Sequence, residues 1–167
     1  MTRLGFTLTV LTLICGLLSS CGFHLRGGFQ LPDGDIYVSS NIDSLVARAL
    51  KKKIERKRSG ALATDPLAAD ITVSITEENS QKVLAVLSNT GSVDEYEITY
   101  NVTFGISSKD GRIEAPVQDR LTLKRQMTYE DQALTAKSDE ERTLIEDMAS
   151  EVATRILVRL SRATQTQ

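Results

Sequence analysis

Apolar and polar side chains alternate most regularly between positions 95 and 106. The odd positions from 95 to 103 are polar. The even positions are apolar: Tyr96, Ile98, Tyr100, Val102, Phe104 and Ile106. A period of two with one apolar phase predicts a strand that buries one face.

The same alternation predicts three further strands, over residues 35–40, 71–76 and 113–127. The apolar run 83–87 either continues the second of these past a bulge or forms a strand of its own. Lys109-Asp110-Gly111 predicts a hairpin turn before the last strand. On that strand, Asp119 and Arg125 fall in the apolar phase. The strand there either extends past the core, or these two side chains pair inward.

Two segments carry apolar residues at helical spacing. In the first, Asn41 or Asp43 can cap the start and Gly60 can end the helix. Its predicted buried face is Leu45, Val46, Ala49, Leu50 and Ile54. The second helix is predicted to begin at the capping box Ser138-x-x-Glu141. Its predicted apolar stripe is Leu144, Ile145, Met148, Ala149, Val152, Ile156 and Leu160.

The element order β-α-β-β-β-α predicts an α+β fold, a two-layer sandwich. Its layers are a mixed four-stranded sheet and two helices packed on one face. The strands that flank the first helix should pair in parallel, and those joined by short turns should be antiparallel. The other face of the sheet, rich in Thr, Asn, Gln and Glu, should be open to water or to a partner.

The first 20 residues predict a lipoprotein signal peptide. Arg3 is followed by an apolar run from Leu4 to Leu18, which is short for a membrane span and typical of a signal peptide. Leu18-Ser19-Ser20-Cys21 resembles a lipobox, so we expect Cys21 to carry lipid. Gly22 after it favours sorting to the outer membrane. The predicted organisation is therefore a signal peptide (1–20), a lipidated lead-in (21–34), one αβ domain (35–163) and a polar tail (164–167).

Residue types that carry catalysis or bind metals are scarce. His24 is the sole histidine and lies three residues after Cys21, so no Ser-His-Asp set or metal cluster can be built with it. We expect no enzyme activity, no metal and no cofactor. The net charge is −2, and an envelope lipoprotein does not meet nucleic acid. The basic run Lys51 to Arg58 is either a solvated helix end or a docking patch for phosphates or acidic lipid headgroups.

The segment Cys21-Gly22-Phe23-His24-Leu25-Arg26-Gly27 resembles the mature start of the LptE family of lipopolysaccharide-assembly lipoproteins. Other pieces are similar in the expected order. Glu95-Tyr96 opens the central strand, and the stretch from Arg125 to Lys137 leads into the last helix. The likeness extends to about Leu160.

The resemblance implies an outer-membrane lipoprotein on the periplasmic side. Such a protein plugs and helps to assemble the β-barrel LptD, forming a translocon that carries lipopolysaccharide to the outer surface. The implied partners are LptD, lipopolysaccharide and the lipid of the membrane. The candidate lipopolysaccharide-binding residues are Lys137, Arg125, Lys124 and Lys82. The turn before Glu95, with sequence SNTG, lacks the basic residue that the family carries there. The alternative function is a free periplasm-facing lipoprotein that acts as a lipid carrier or envelope scaffold.

Overall fold

The computed structural model describes residues 29–87, 93–111, 113, 117–128 and 134–165. The chain forms four strands and two helices in the order β-α-β-β-β-α. The strands are β1 (Ile36–Ser40), β2 (Ile71–Leu87), β3 (Val93–Ser108) and β4 (Val117–Thr128). The helices are α1 (Leu45–Lys57) and α2 (Leu134–Ala163). The predicted signal peptide and Cys21 lie outside the described residues.

The four strands form one sheet in the order β1-β2-β3-β4. β1 pairs with β2 in parallel, from Ile36 opposite Ile71 to Ser40 opposite Ile75. β2 with β3, and β3 with β4, pair antiparallel. This confirms the predicted mixed sheet, because the helical crossover returns the chain in the same direction and the later connections reverse it.

The apolar run 83–87 continues the second strand and does not form a strand of its own. β2 runs unbroken from Ile71 to Leu87 and pairs with β3 along its length. The register shifts between Ile75 and Glu77, so Thr76 is an extra residue in β2. A bulge of this kind exchanges the two faces of a strand. Even-numbered residues after Thr76 therefore face the side that odd-numbered residues face before it.

The core lies between the sheet and the two helices. Ile71, Val73 and Ile75 of β2 meet the even positions 98 to 106 of β3, and all of these side chains are buried. The first helix buries Val46, Ala47, Leu50 and Ile54. The second buries Met148, Ala149, Val152, Ala153, Ile156, Leu157 and Leu160. Ala47, Ala153 and Leu157 are buried in addition to the predicted stripes. Each helix packs against the other helix as well as against the sheet, so more of its surface is covered than by the sheet alone.

Both predicted helix starts are wrong. The N-cap of α1 is Ser44, whose hydroxyl accepts a hydrogen bond from the backbone N–H of Ala47 at 2.8 Å, rather than Asn41 or Asp43. The second helix begins at Leu134, so Ser138 lies inside it and is no cap. Leu, Ala and Lys in this first turn are good helix formers and contain no breaker. The first helix ends at Lys57, and Gly60 follows in a turn with φ +78°.

The molecule has two ends that differ in character. At the lead-in end lie residues 29–34, the start of β1 and the last turns of both helices; Leu31 and Thr164 line one cleft there. At the hairpin end, β2 and β3 extend beyond β1, which pairs only with the first five residues of β2. A 17-residue strand is about 56 Å long, whereas the 13 residues of α1 span only about 20 Å. The sheet therefore projects well past the first helix.

Candidate functional site

The face of the sheet that carries no helix is polar, as predicted, and we call it the open face. Its side chains come from the odd positions of β3, the even positions of β4 and the odd positions of β2 after the bulge. Opposed residues on adjacent strands lie within reach of one another. The open face is thus a plane of mostly paired polar side chains, with Val83 as an exposed apolar residue among them.

Hydrogen bonds cross this face in rows. Asn101 accepts from the hydroxyl of Thr122 at 2.7 Å through its Oδ1 and donates to Asn79 Oδ1 at 3.4 Å. In the next row, Glu77 accepts from the hydroxyl of Thr103 and from the guanidinium of Arg120, both at 2.9 Å. Each row joins β2, β3 and β4, so much of the polar surface satisfies itself without water.

Lys124, one of the candidate lipopolysaccharide-binding residues, lies on the open face. Its ammonium donates to Glu97 Oε1 at 2.7 Å, nearer the hairpin end than the rows of Glu77 and Asn101. This hydrogen bond is the main reason why the pKa of Glu97 lies below its usual range. The ammonium is thus held at a fixed place on the surface by a carboxylate.

Lys82, a second candidate, projects from the helix side of β2 because of the bulge. Its ammonium pairs with Glu141 of α2 at 2.6 Å and lies 4.5 Å from the centre of the Tyr96 ring. A cation over an aromatic face gains further attraction. Tyr96 belongs to the Glu-Tyr pair that opens the central strand, so a candidate binding residue, Lys82, lies against this pair.

Arg125, the third candidate, also faces the helix side. Its guanidinium pairs with Glu151 of α2 at 2.5 Å. Asp119, the other charged residue of the apolar phase, pairs with Arg159, whose guanidinium lies 5.7 Å from the ring of Phe104. The two side chains therefore pair inward, and both fasten β4 to α2.

Lys137, the fourth candidate, falls within the backbone range of α2 rather than in a loop before the helix. Its side chain lies outside the described residues, as does the SNTG turn. The backbone position of Lys137, in the first turn of α2, is one helical turn before Glu141, the partner of Lys82. All four candidates thus belong to the hairpin half of the molecule, Lys137 by its backbone position alone.

A carboxylate that the sequence reasoning missed lies at the start of α1. Glu78 accepts hydrogen bonds from the backbone N–H of Leu45 at 3.0 Å and of Val46 at 3.4 Å, and from the hydroxyl of Ser44. Tyr100 donates to the same carboxylate. A negative group at a helix N-terminus satisfies unpaired N–H groups and interacts favourably with the helix dipole. The nearest signal in the sequence was the polar break at Glu77-Glu78-Asn79 within an apolar alternation.

A groove of about 550 Å³ separates the start of α1 from the first half of α2. Leu45 and Ile145 form its apolar floor, and Arg48, Glu141, Arg142 and Glu146 are the charged residues along it. Arg142 is held by Asp139 at 3.2 Å and by Glu146 at 3.3 Å. The groove therefore combines an apolar floor with a charged rim.

No group of three His, Cys, Asp or Glu side chains suited to a metal ion occurs in the described ranges. Within the same part of the chain, no helix is both long enough and apolar enough to cross a membrane. The described residues instead present a paired polar plane on one side and carboxylate-paired cations toward the hairpin end.

Comparison with known proteins gives a family and a fold. The model of the LptE family, described as lipopolysaccharide-assembly, matches residues 31–160. Among curated proteins, no sequence matches significantly.

Three solved lipoprotein structures share the architecture. An uncharacterized lipoprotein B from Nitrosomonas europaea has 24% identity and a TM-score of 0.69, over 87% of this chain and 94% of that one. The rare lipoprotein B from Shewanella oneidensis has 20% identity and a TM-score of 0.63, over 77% and 94%. A minor lipoprotein from Acinetobacter baumannii has 17% identity and a TM-score of 0.59, over 80% and 94%. At these identities the likeness shows the fold.

Proposed function

The chain belongs to the LptE family of lipopolysaccharide-assembly proteins, and on this basis we propose that it plugs the lumen of the outer-membrane β-barrel LptD and binds lipopolysaccharide there. It is an outer-membrane lipoprotein, anchored on the periplasmic side through Cys21. It acts by binding and by filling space, without catalysis. The single observation that carries the proposal is the open face of the sheet.

The open face suits the wall of a barrel lumen. The inside of a large barrel is polar, so a plug has to present polar surface to it while keeping its own apolar core. Here the core lies wholly on the helix side, and the rows through Glu77, Asn101 and Glu97 pair their own donors and acceptors. The neutral pairs, such as Asn101 with Thr122, can leave bulk water at modest cost because they keep their hydrogen-bond partners. The ion pairs of Glu77 and Glu97 need the polar surroundings that such a lumen provides.

Lipopolysaccharide binding is assigned to the cations of the hairpin half: Lys82, Lys124, Arg125 and Lys137. Its phosphates are anionic, and Lys and Arg are the side chains that form strong charge-assisted hydrogen bonds with them. Each of the three assigned cations whose side chains the structure describes pairs with one carboxylate: Lys82 with Glu141, Lys124 with Glu97 and Arg125 with Glu151. A phosphate that arrives shares or replaces that carboxylate, so the side chains are oriented before the ligand binds.

The plug is tested by purifying the lipidated protein from membranes in mild detergent and identifying what accompanies it. We expect LptD to accompany the wild type and to fall severalfold with Thr122→Arg, which places a bulky side chain in the middle of the exposed open face. Leu67→Arg is the matched control, because Leu67 is 79% exposed in the loop at the lead-in end. If Thr122→Arg retains as much LptD as Leu67→Arg, the open face does not lie against the barrel. Recovery of the wild type without any barrel would support the carrier or scaffold alternative instead.

Lipopolysaccharide binding is tested separately by pull-down with immobilised lipopolysaccharide. Lys137→Glu and Lys82→Glu should each reduce capture severalfold. Lys109→Glu, a charge reversal in the turn at the lead-in end, should leave it unchanged. Equal capture of Lys137→Glu and the wild type would remove Lys137 from the site.

A further inference from the structure

The last turns of α1 carry a cluster of cations. Lys51, Lys52, Lys53, Arg56 and Lys57, which we call the basic end, lie at the lead-in end of the molecule. None of them pairs with a carboxylate among the residues that the structure describes, whereas Arg48, earlier in the same helix, pairs with Asp43. Lys51, Lys52 and Arg56 are exposed.

These closely spaced like charges add little to the stability of the folded state. Lys52 with Arg56, and Lys53 with Lys57, are like charges four residues apart on one helix, a spacing that destabilises helices. Burial, and then the neighbouring charge of Arg56, lower the pKa of Lys53. The helix dipole favours cations only within the last turn. It therefore accounts for Arg56 and Lys57 but leaves Lys51 and Lys52, one turn earlier, without a structural reason.

The basic end is fastened to the segment that leads to the predicted lipid anchor. Arg58 donates to the backbone carbonyl of Pro32 at 3.0 Å and to that of Gly34. Lys57 lies 5.9 Å from the centre of the Phe29 ring. Phe29 and Leu31 in turn pack against the core. Phe29 lies eight positions after Cys21, so the anchor lies within about 28 Å of Phe29 even when the chain is fully extended.

We propose that the basic end rests on the anionic phospholipid headgroups of the bilayer that holds the acyl chains of Cys21. The membrane surface is the partner that both observations fit, because the tether keeps the patch beside it and unpaired cations complement its phosphates. Each Lys or Arg near an anionic bilayer contributes an attraction that corresponds to about fivefold in binding. The contact would fix the orientation of the domain, with its hairpin end pointing away from the membrane plane. This inference depends on lipidation of Cys21 but not on the barrel or on lipopolysaccharide.

The test uses the chain from position 21 onward, with Cys21→Ser, so that no acyl chain contributes; the buried core begins only at Ile36 and is untouched. Co-sedimentation at low ionic strength compares vesicles that contain phosphatidylglycerol with vesicles of phosphatidylcholine alone. We expect binding to the anionic vesicles only. The triple variant Lys51→Gln, Lys52→Gln, Arg56→Gln should weaken it about a hundredfold, from about fivefold for each charge. Binding should also fall as salt is added.

A matched control removes the same charge elsewhere, through Arg48→Gln, Arg142→Gln and Arg155→Gln, three exposed cations that pair with carboxylates, and should bind the anionic vesicles within about twofold of the parent chain. Equal loss in both triple variants would mean attraction by net charge, and the inference would be wrong. Equal binding of the parent chain to both vesicle types, or to neither, would also overturn it. In a third arm, the basic-end variant should still bind lipopolysaccharide micelles. If it loses these micelles while it keeps the vesicles, the patch serves lipopolysaccharide rather than the bilayer.

Discussion

The hydroxyl of Tyr100, in the middle of β3, donates a hydrogen bond to the carboxylate of Glu78 on β2, and this carboxylate caps the start of α1. Tyr100 is 2% exposed. The contact joins three elements that are distant in sequence: the central hairpin, the first helix and, through Ser44, the loop after β1. The bulge at Thr76 makes it possible, because it turns Glu78 to the helix side.

Removal of the cap should destabilise the domain. Ser44→Ala deletes the hydroxyl that accepts from Ala47 and donates to Glu78, and we expect the free energy of unfolding to fall by about 1 to 2 kcal/mol. Chemical denaturation followed by circular dichroism measures it. Ser150→Ala on α2 is the control and should change this quantity by less than about 0.5 kcal/mol. Equal stability of Ser44→Ala and the wild type would show that Glu78 caps the helix unaided.

Stability should fall in alkaline solution because of Tyr100. Burial, and then the hydrogen bond to Glu78, raise the pKa of Tyr100 well above the ordinary value of about 10. The folded state therefore keeps a proton that the unfolded state loses. This contribution is complete below pH 10 and declines above it, by up to about 1.4 kcal/mol for each pH unit. Tyr100→Phe should be less stable at neutral pH and should show a shallower alkaline decline. Parallel alkaline curves for the two proteins would contradict the assignment.

Gly34 should not tolerate a side chain. Its φ is +96°, and a Cβ there would lie 2.4 Å from Asp70 Oδ2, the atom that accepts the backbone N–H of Asp35 at 2.9 Å. Gly34→Ala should lower the free energy of unfolding by about 1 to 3 kcal/mol. Gly60→Ala separates the strain of a positive φ from the steric overlap with Asp70, since Gly60 has φ +78° but nothing within 4 Å of its Cβ position. A thermal melt of both variants should show the larger loss for Gly34→Ala.

Replacement of the predicted lipidation site should release the protein from the membrane. In Cys21→Ala cells, the protein should move from the membrane to the soluble fraction, because the attraction of the basic end alone is reversible and sensitive to salt. Fractionation with and without added salt, followed by immunoblotting, measures this. The conservative control Ser20→Ala keeps a small residue in the lipobox and should stay in the membrane fraction. Firm retention of Cys21→Ala at high salt would rule out acylation as the anchor.

The elements of this fold could be predicted from the sequence because their signals are local. The alternation from Ile98 to Ile106 and the spacing from Met148 to Leu160 each reflect one face of one element, and each of these faces is buried as expected. The order of the elements then left few ways to form the sheet. The predicted start of α1 was wrong because it also used a local signal. Asn41 and Asp43 both resemble caps locally, but the cap is Ser44, which Glu78 contacts from another strand.

The sequence by itself determined most of the buried residues, how the strands pair and which face of the sheet is polar, because periodicity and short connections fix these. Only the tertiary structure decided what the charged residues do. Asp119 and Arg125 interrupt the apolar pattern of β4. The structure accounts for them, because Arg159 and Glu151 of α2 lie opposite them and pair with them. Glu78 faces a helix because one extra residue in β2 exchanges the faces of the strand, and Arg58 links the basic end to the lead-in. These relationships join residues 24 to 40 positions apart, and no local pattern records a contact at that separation.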